Sequence, residues 1–355
     1  MCLYPKRMIN KKYTCTEKNG GNIPFPPVIG IDEYGNEIYD ERVLYTQIPC
    51  GQCIECRQQK AREWQVRLGE EIKEHNYNYF ITLTFGPKEL AEVKKKSGLS
   101  ECNALAAYAT RHMLERWRKK HKKSLKHWLI TELGHEGTER IHMHGMIFSD
   151  EQLQFAPGDE NNMVKWEYWK YGHIFVGTYC NQATVNYIVK YINKIDNDHK
   201  GFVGQILCSP GLGKNWIEGK EQLYRYRPKN SIDYYVLNNG CRVKLPKYYK
   251  NKLYTEEERE KIWREFMDKN EQTIAGITYS TNNTSNETIG NITEKAQEVN
   301  KFLGFGDDSK EWRKKKWNIT KRMLQQIERK KQMDLMAAAL AKNAYNQEKN
   351  QNLLA

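Results

Sequence analysis

The chain has 355 residues, 39% hydrophobic and 28% charged, with a formal net charge of +13 at neutral pH. That composition supports one substantial core and favours a polyanionic partner, nucleic acid before an acidic membrane surface. No apolar run approaches the ~20 residues that span a bilayer, Met1 to Tyr13 lacks the apolar stretch of a secretion signal, and nine cysteines, an odd number, argue against a disulfide framework.

Residues 1–57 read as an irregular N-terminal arm, rich in Pro, Gly, Tyr and Asn and ending in a cysteine cluster. Gln58 to Glu74 reads as a helix, because Ala61, Trp64, Leu68 and Ile72 recur at three- and four-residue steps. Tyr79 to Phe85 is a buried strand of aromatic and β-branched residues, ended by Gly86-Pro87. Ala104 to Lys120 is a second helix. Trp128 to Glu132 and Ile141 to Phe148 are strands joined by the mostly polar residues 133–140. Tyr168 to Val176 reads as another strand, and Ala183 to Ile195 as a helix capped by Asn181. This order predicts an α+β fold: a central antiparallel sheet flanked by helices. Residues 256–309 read as a polar linker and 310–355 as a basic helical tail.

Three groups of residues carry chemistry. His142 and His144 lie two apart on a predicted strand and so share one face, with Ile141, Met143 and Ile147 on the other. Two imidazoles and one carboxylate make a facial metal site, and Glu132, across the hairpin, is the candidate third ligand. His135, Glu136 and Glu139 are weaker alternatives. The set suits Mg2+ or Mn2+ for phosphate chemistry, although Zn2+ also fits. Tyr187 and Tyr191 lie four apart on one helix face, with Lys190 beside them. A tyrosine can attack a phosphodiester and hold the 5′ phosphate, and an adjacent lysine would offset negative charge. Cys50, Cys53 and Cys56 form C-x-x-C-x-x-C; with Cys2 or Cys15 they would make a structural Zn2+ site, the alternative being reduced thiols that pack the arm. An iron–sulfur run is disfavoured because the following Cys-Pro is missing.

Arg116, Arg118, Lys119, Lys120, Lys122 and Lys123 form a cationic run that can bind DNA phosphates without reading sequence. Trp166, Tyr168, Trp169 and Tyr171 could stack unpaired bases or pack a core. Gly211-Leu212-Gly213-Lys214 lacks the spacing and the Ser or Thr of a P-loop, so no ATPase is expected.

Taken in order, FITLTF (80–85), HMH (142–144) and Tyr187-x-x-Lys190-Tyr191 resemble the three motifs of the HUH endonucleases, and specifically the microvirus replication initiators. PCGQCIECR (49–57), SPGLGKNW (209–216) and NNGCRVKLPKYY (238–249) look like gokushovirus segments. Residues 58–255 then correspond to an HUH-type catalytic domain. The resemblance implies a rolling-circle initiator that nicks one origin strand, stays on the 5′ phosphate, frees a 3′ hydroxyl and later joins the strand. It implies origin or single-stranded DNA, a host helicase and a host DNA polymerase as partners, no membrane, and action in the cytoplasm of a bacterial host cell. The alternative from composition alone is a non-catalytic basic single-stranded-DNA-binding or packaging protein.

Overall fold

The structure is a computed structural model that describes residues 1–134, 139–158, 163–177, 180–196, 198–199, 202–226, 232–307 and 309. The chain divides into a unit Met1–Phe305 and a second unit Gly306–Ala355. The expected basic tail, 310–355, lies outside the described residues.

The N-terminal arm holds β1 (Lys6–Ile9), β2 (Val28–Ile31), β3 (Glu37–Tyr39) and β4 (Tyr45–Ile48). β1 pairs with β4 and β2 with β3, both antiparallel, so the arm is more regular than its composition suggests. Next come α1 (Ile54–Glu71), β5 (Tyr77–Leu83), α2 (Pro87–Ser97), α3 (Cys102–His121), β6 (Lys126–Leu133) and β7 (Ile141–Ser149). They are followed by β8 (Ala156–Pro157), β9 (Met163–Trp166), β10 (Trp169–Gly177), α4 (Gln182–Asn193) and β11 (Ile206–Cys208). A smaller lobe adds α5 (Lys214–Glu218), α6 (Lys220–Tyr226), β12 (Tyr234–Val236), β13 (Arg242–Lys244) and α7 (Lys247–Leu253). The unit ends with α8 (Glu256–Asp268), β14 (Glu271–Ile274), β15 (Ile277–Ser280) and α9 (Asn286–Phe302).

The central sheet has seven strands in the order β11-β6-β7-β5-β10-β9-β8, and each neighbouring pair is antiparallel. The α+β architecture expected from the sequence is therefore the observed one. Strand alternation splits the side chains between two cores. Ile81, Leu83, Leu129, Leu133, Met143 and Ile147 meet Ala106, Ala109, Met113 and Trp117 of α3. On the opposite face, Trp128, Ile130, Met146 and Phe148 meet Ala61 and Leu68 of α1 and Val185, Ile188 and Ile192 of α4. Trp128 is fully buried, so truncating it to alanine would cost about 3–5 kcal/mol. Gly145 sits in β7 because a Cβ there would lie 2.3 Å from the Trp128 carbonyl oxygen and 2.4 Å from Leu129 Cδ2.

Two expectations are corrected. Residues 256–302 carry helices and a hairpin where a polar linker is expected. The helices are hard to read in sequence because each buries only a thin stripe: Ile262 in α8, Ile289 and Asn300 in α9. Their starts are nonetheless encoded, by a Thr255/Glu258 capping box and by Ser285 accepting from the Thr288 amide. Second, the proposed stacking aromatics are core residues: Trp166, Tyr168 and Trp169 are buried beside Trp117, with Tyr171 packed against them. Gly211–Lys214 forms a turn in which the Gly213 amide donates to Glu71 and a Cβ on Gly213 would lie 2.5 Å from the Tyr249 hydroxyl. Its role there is packing.

Candidate active site

The register of β6 on β7 sets Glu132 directly opposite His142, and that of β5 on β7 sets Thr82 opposite His144. Cross-strand partners share a face, so all four side chains point to the α4 side of the sheet. His142 Nε2 lies 3.1 Å and His144 Nε2 2.8 Å from Glu132 Oε2. The other ring nitrogens are held from behind: His144 Nδ1 by the Thr82 hydroxyl at 3.0 Å, and His142 Nδ1 by the Arg140 carbonyl at 3.3 Å. This leaves both Nε2 atoms aimed at one point beside a carboxylate oxygen, with orienting partners of the kind that metal-ligating histidines have.

Glu132, His142 and His144 thus form a group able to hold a metal ion. Their N, N, O donors fit a divalent cation with open positions. Burial works against ionisation of Glu132, but hydrogen bonds with His142, His144 and Lys194 outweigh it and hold the carboxyl well below the usual carboxylate range. Of the alternative carboxylates, Glu139 is exposed and lies 3.8 Å from His199; His135 and Glu136 lie outside the described residues.

The tyrosines approach from α4. Asn181 caps this helix: its side chain accepts from the Thr184 amide at 3.1 Å, and the Asn181 amide donates back to the Thr184 hydroxyl at 3.3 Å. Val185, Ile188, Val189 and Ile192 then anchor it on the sheet. That fixes the opposite stripe. The Tyr191 ring stacks on His144 with centroids 4.5 Å apart, and the Tyr187 and Tyr191 hydroxyls are 3.0 Å apart. Tyr187 is 49% exposed. Burial, and then the hydrogen bond with Tyr187, push the Tyr191 phenol up from its ordinary pKa. Phe80 lies under the pair, stacked on His144 at 6.5 Å and edge-on to Tyr187 at 6.0 Å.

The lysine expected beside the nucleophile changes. Lys190 turns away and lines a shallow groove between α1 and α4 with Gln58, Arg62, Gln65 and Asn193. Lys194, one turn later, hydrogen-bonds Glu132 and places its ammonium 5.9 Å from the Tyr191 ring centre. Its step from Tyr187 and Tyr191 (i+7 and i+3) was the available sequence signal. Phe80 and Thr82 were also legible, since they alternate in FITLTF and so share the histidine face.

The cationic run does not border this site. It follows α3 on the other face of the sheet and enters β6 at its Lys126 end, whereas Glu132 is near the opposite end. Arg116 donates to the Tyr168 carbonyl at 2.9 Å, Lys120 pairs with Glu167 at 2.8 Å and Lys123 with Glu151 at 2.7 Å. Arg118, Lys119 and Lys122 are exposed.

A second group able to hold a metal lies elsewhere: Cys2, Cys50, Cys53 and Cys56. Cys15 is exposed and outside it.

Comparison with known proteins converges on one activity class. Residues 78–196 match the family described as replication-associated protein ORF2. The chain is 25% identical over 266 residues to replication-associated protein VP4 of Bdellovibrio phage phiMH2K, covering 68% of this chain and 79% of that protein. It is 24% identical over 293 residues to replication-associated protein ORF2 of Spiroplasma virus 4, covering 74% and 86%. No solved structure matches. The chain is a relative of phage replication-associated proteins, as a microvirus-like rolling-circle initiator would be, and the family match spans the strands and helix that build this site.

Proposed function

We propose that the protein initiates rolling-circle replication by nicking one DNA strand at a specific origin sequence. The observation that carries this reading is the convergence of the two tyrosine hydroxyls on the His142–His144–Glu132 face. A phenolic oxygen of Tyr187 or Tyr191 attacks phosphorus, the P–O3′ bond breaks, and a 5′-phosphotyrosine and a free 3′ hydroxyl result; the phenol proton is given up and the 3′ oxygen gains one. A Mg2+ or Mn2+ ion held by Glu132, His142 and His144 would polarise the scissile phosphate and stabilise the leaving oxygen. Thr82 and the Arg140 carbonyl fix the imidazoles. Lys194 supplies positive charge beside Glu132 and Tyr191, and Lys190 and Arg62 border a groove that suits a single strand's phosphates.

The 3.0 Å spacing of the hydroxyls lets either tyrosine reach one phosphate position. The second tyrosine would attack the regenerated origin and release a joined circle. The free 3′ end calls for a host DNA polymerase, and strand separation for a host helicase, in the bacterial cytoplasm. Among the described residues no helix is long and apolar enough to cross a membrane.

The test is a labelled single-stranded origin oligonucleotide incubated with the full chain and Mn2+ or Mg2+, resolved on a denaturing gel. A protein–DNA adduct that needs the metal is the expected result. Salt-sensitive binding with no adduct on any phage-origin strand would instead leave a non-catalytic DNA-binding or packaging protein.

A further inference from the structure

We propose that Cys2, Cys50, Cys53 and Cys56 hold a structural Zn2+ ion that staples the N-terminal arm to the start of α1. The proposal stands apart from the nicking chemistry and rests on a different part of the molecule.

All four sulfurs lie within 4.8 Å of one another, and Cys50 Sγ is 3.9 Å from Cys56 Sγ. A zinc tetrahedron with Zn–S near 2.3 Å has sulfur–sulfur edges of about 3.8 Å. The cysteines are free thiols rather than disulfides. The turn that brings them together is built for thiolates. Gly51 takes φ +75°, which folds the chain back on itself. The Gln52 and Cys53 amides then donate to Cys50 Sγ at 3.4 and 3.3 Å, and the Cys50 amide donates to Cys2 Sγ at 3.1 Å. Amides aimed at sulfur offset the negative charge of ligating thiolates. An iron–sulfur cluster puts sulfide between its cysteines and holds their sulfurs farther apart than this group allows.

The surroundings show what the ion would secure. Cys53 is fully buried among Leu3, Ile274 of β14 and Ile289 of α9. Cys53 precedes α1 with no side-chain cap of its own; instead the Ile54 amide donates to the buried Asn300 side chain of α9 at 2.8 Å. Four separate segments therefore meet here: residue 2, the 50–56 turn, β14 and α9. Such a junction has little apolar area per segment, the situation in which a closed four-ligand metal commonly supplies the missing stability. Arg57, next in sequence, donates to the Lys194 carbonyl at 3.4 Å, so the staple also fixes the residue that steadies the end of the tyrosine helix.

The experiment measures zinc by elemental analysis on the full-length His142→Ala chain after washing with EDTA, which removes the contribution of the histidine site. One zinc per chain is expected, released only when a mercurial reagent titrates the thiols. Cys53→Ser should reduce zinc to background and Cys15→Ser should leave it unchanged. If Cys53→Ser does not fold, Cys2→Ala removes a ligand from the arm alone and should also lose the ion. A native chain without zinc, whose Cys50, Cys53 and Cys56 react with a thiol reagent at once, would overturn the proposal. So would iron in place of zinc. None of these outcomes depends on whether the tyrosines form an adduct.

Discussion

Two glutamate–histidine–lysine clusters lie on the same side of the central sheet, and one of them is built as a reactive site while the other is not. Glu132 meets His142, His144 and Lys194. Glu71 meets His75 at 2.9 Å and Lys126 at 2.7 Å. The residue types match, but the geometry does not. Glu71 is 2% exposed, its second oxygen accepts the Gly213 amide, and the His75 ring is spent on Glu71 and Asp150. Both carboxylate oxygens and both ring nitrogens there have partners. At Glu132 two ring nitrogens converge on one oxygen, the carboxylate is 12% exposed, and a half-exposed tyrosine stands alongside. The difference between a structural cluster and a candidate catalytic one is thus unfilled coordination on an open face, a property of register and helix docking rather than of composition.

Substitutions can sharpen that contrast. The largest effect is expected from the Tyr187→Phe/Tyr191→Phe double variant, which should form no covalent adduct yet bind DNA as before; an adduct at the parent level would remove α4 from the mechanism. Glu132→Gln should cut metal-dependent cleavage by more than the roughly 10–100-fold typical of partners one step removed from a metal, with thermal stability kept. Glu71→Gln should do the reverse. Stability should fall by about 1–3 kcal/mol, as for a buried hydrogen-bonded charge left unmatched, while cleavage per folded molecule holds. Should both variants behave alike in cleavage and in melting, the contrast fails.

Acid offers a third, gentler probe. Burial raises the Glu71 pKa, but hydrogen bonds from His75, the Gly213 amide and Lys126 outweigh it and bring it down to about 2. A carboxylate depressed on folding contributes stability that is complete above its unfolded pKa of about 4.3. That contribution is lost as pH falls from there towards 2. Denaturant midpoints of the parent chain should decline over this window, and Glu71→Gln should flatten the decline. The smallest expected effect is from Thr82→Val, which frees His144 Nδ1 and should weaken metal-dependent activity about tenfold.

Much of this site was legible in the sequence. Period-two alternation put His142 and His144 together, the hairpin offered Glu132, and i, i+4 spacing paired the tyrosines. What the sequence hid was depth and docking. Lys190 and Lys194 are both a helical step from the tyrosines, and only the way Ile188 and Ile192 seat α4 decides that Lys194 faces Glu132. Trp166 and Trp169 look like stacking platforms until β9 and β10 fold them over Trp117. The polar 256–302 stretch conceals helices because single residues such as Ile262 and Ile289, rather than a broad stripe, meet the core. The cationic run from Arg116 to Lys123 reads as a DNA surface, yet Glu151 and Glu167 on neighbouring turns neutralise part of it.

The central claim is that one of two particular tyrosines takes up the DNA. It can be read directly by mass spectrometry of the trypsin-digested, nuclease-trimmed adduct. Lys190 lies between the tyrosines, so cleavage after it sends Tyr187 and Tyr191 into different peptides. A nucleotide on Tyr187 or Tyr191, and absent when the metal is chelated, is the predicted result. A nucleotide on any other residue, or the same modification without metal, would contradict it.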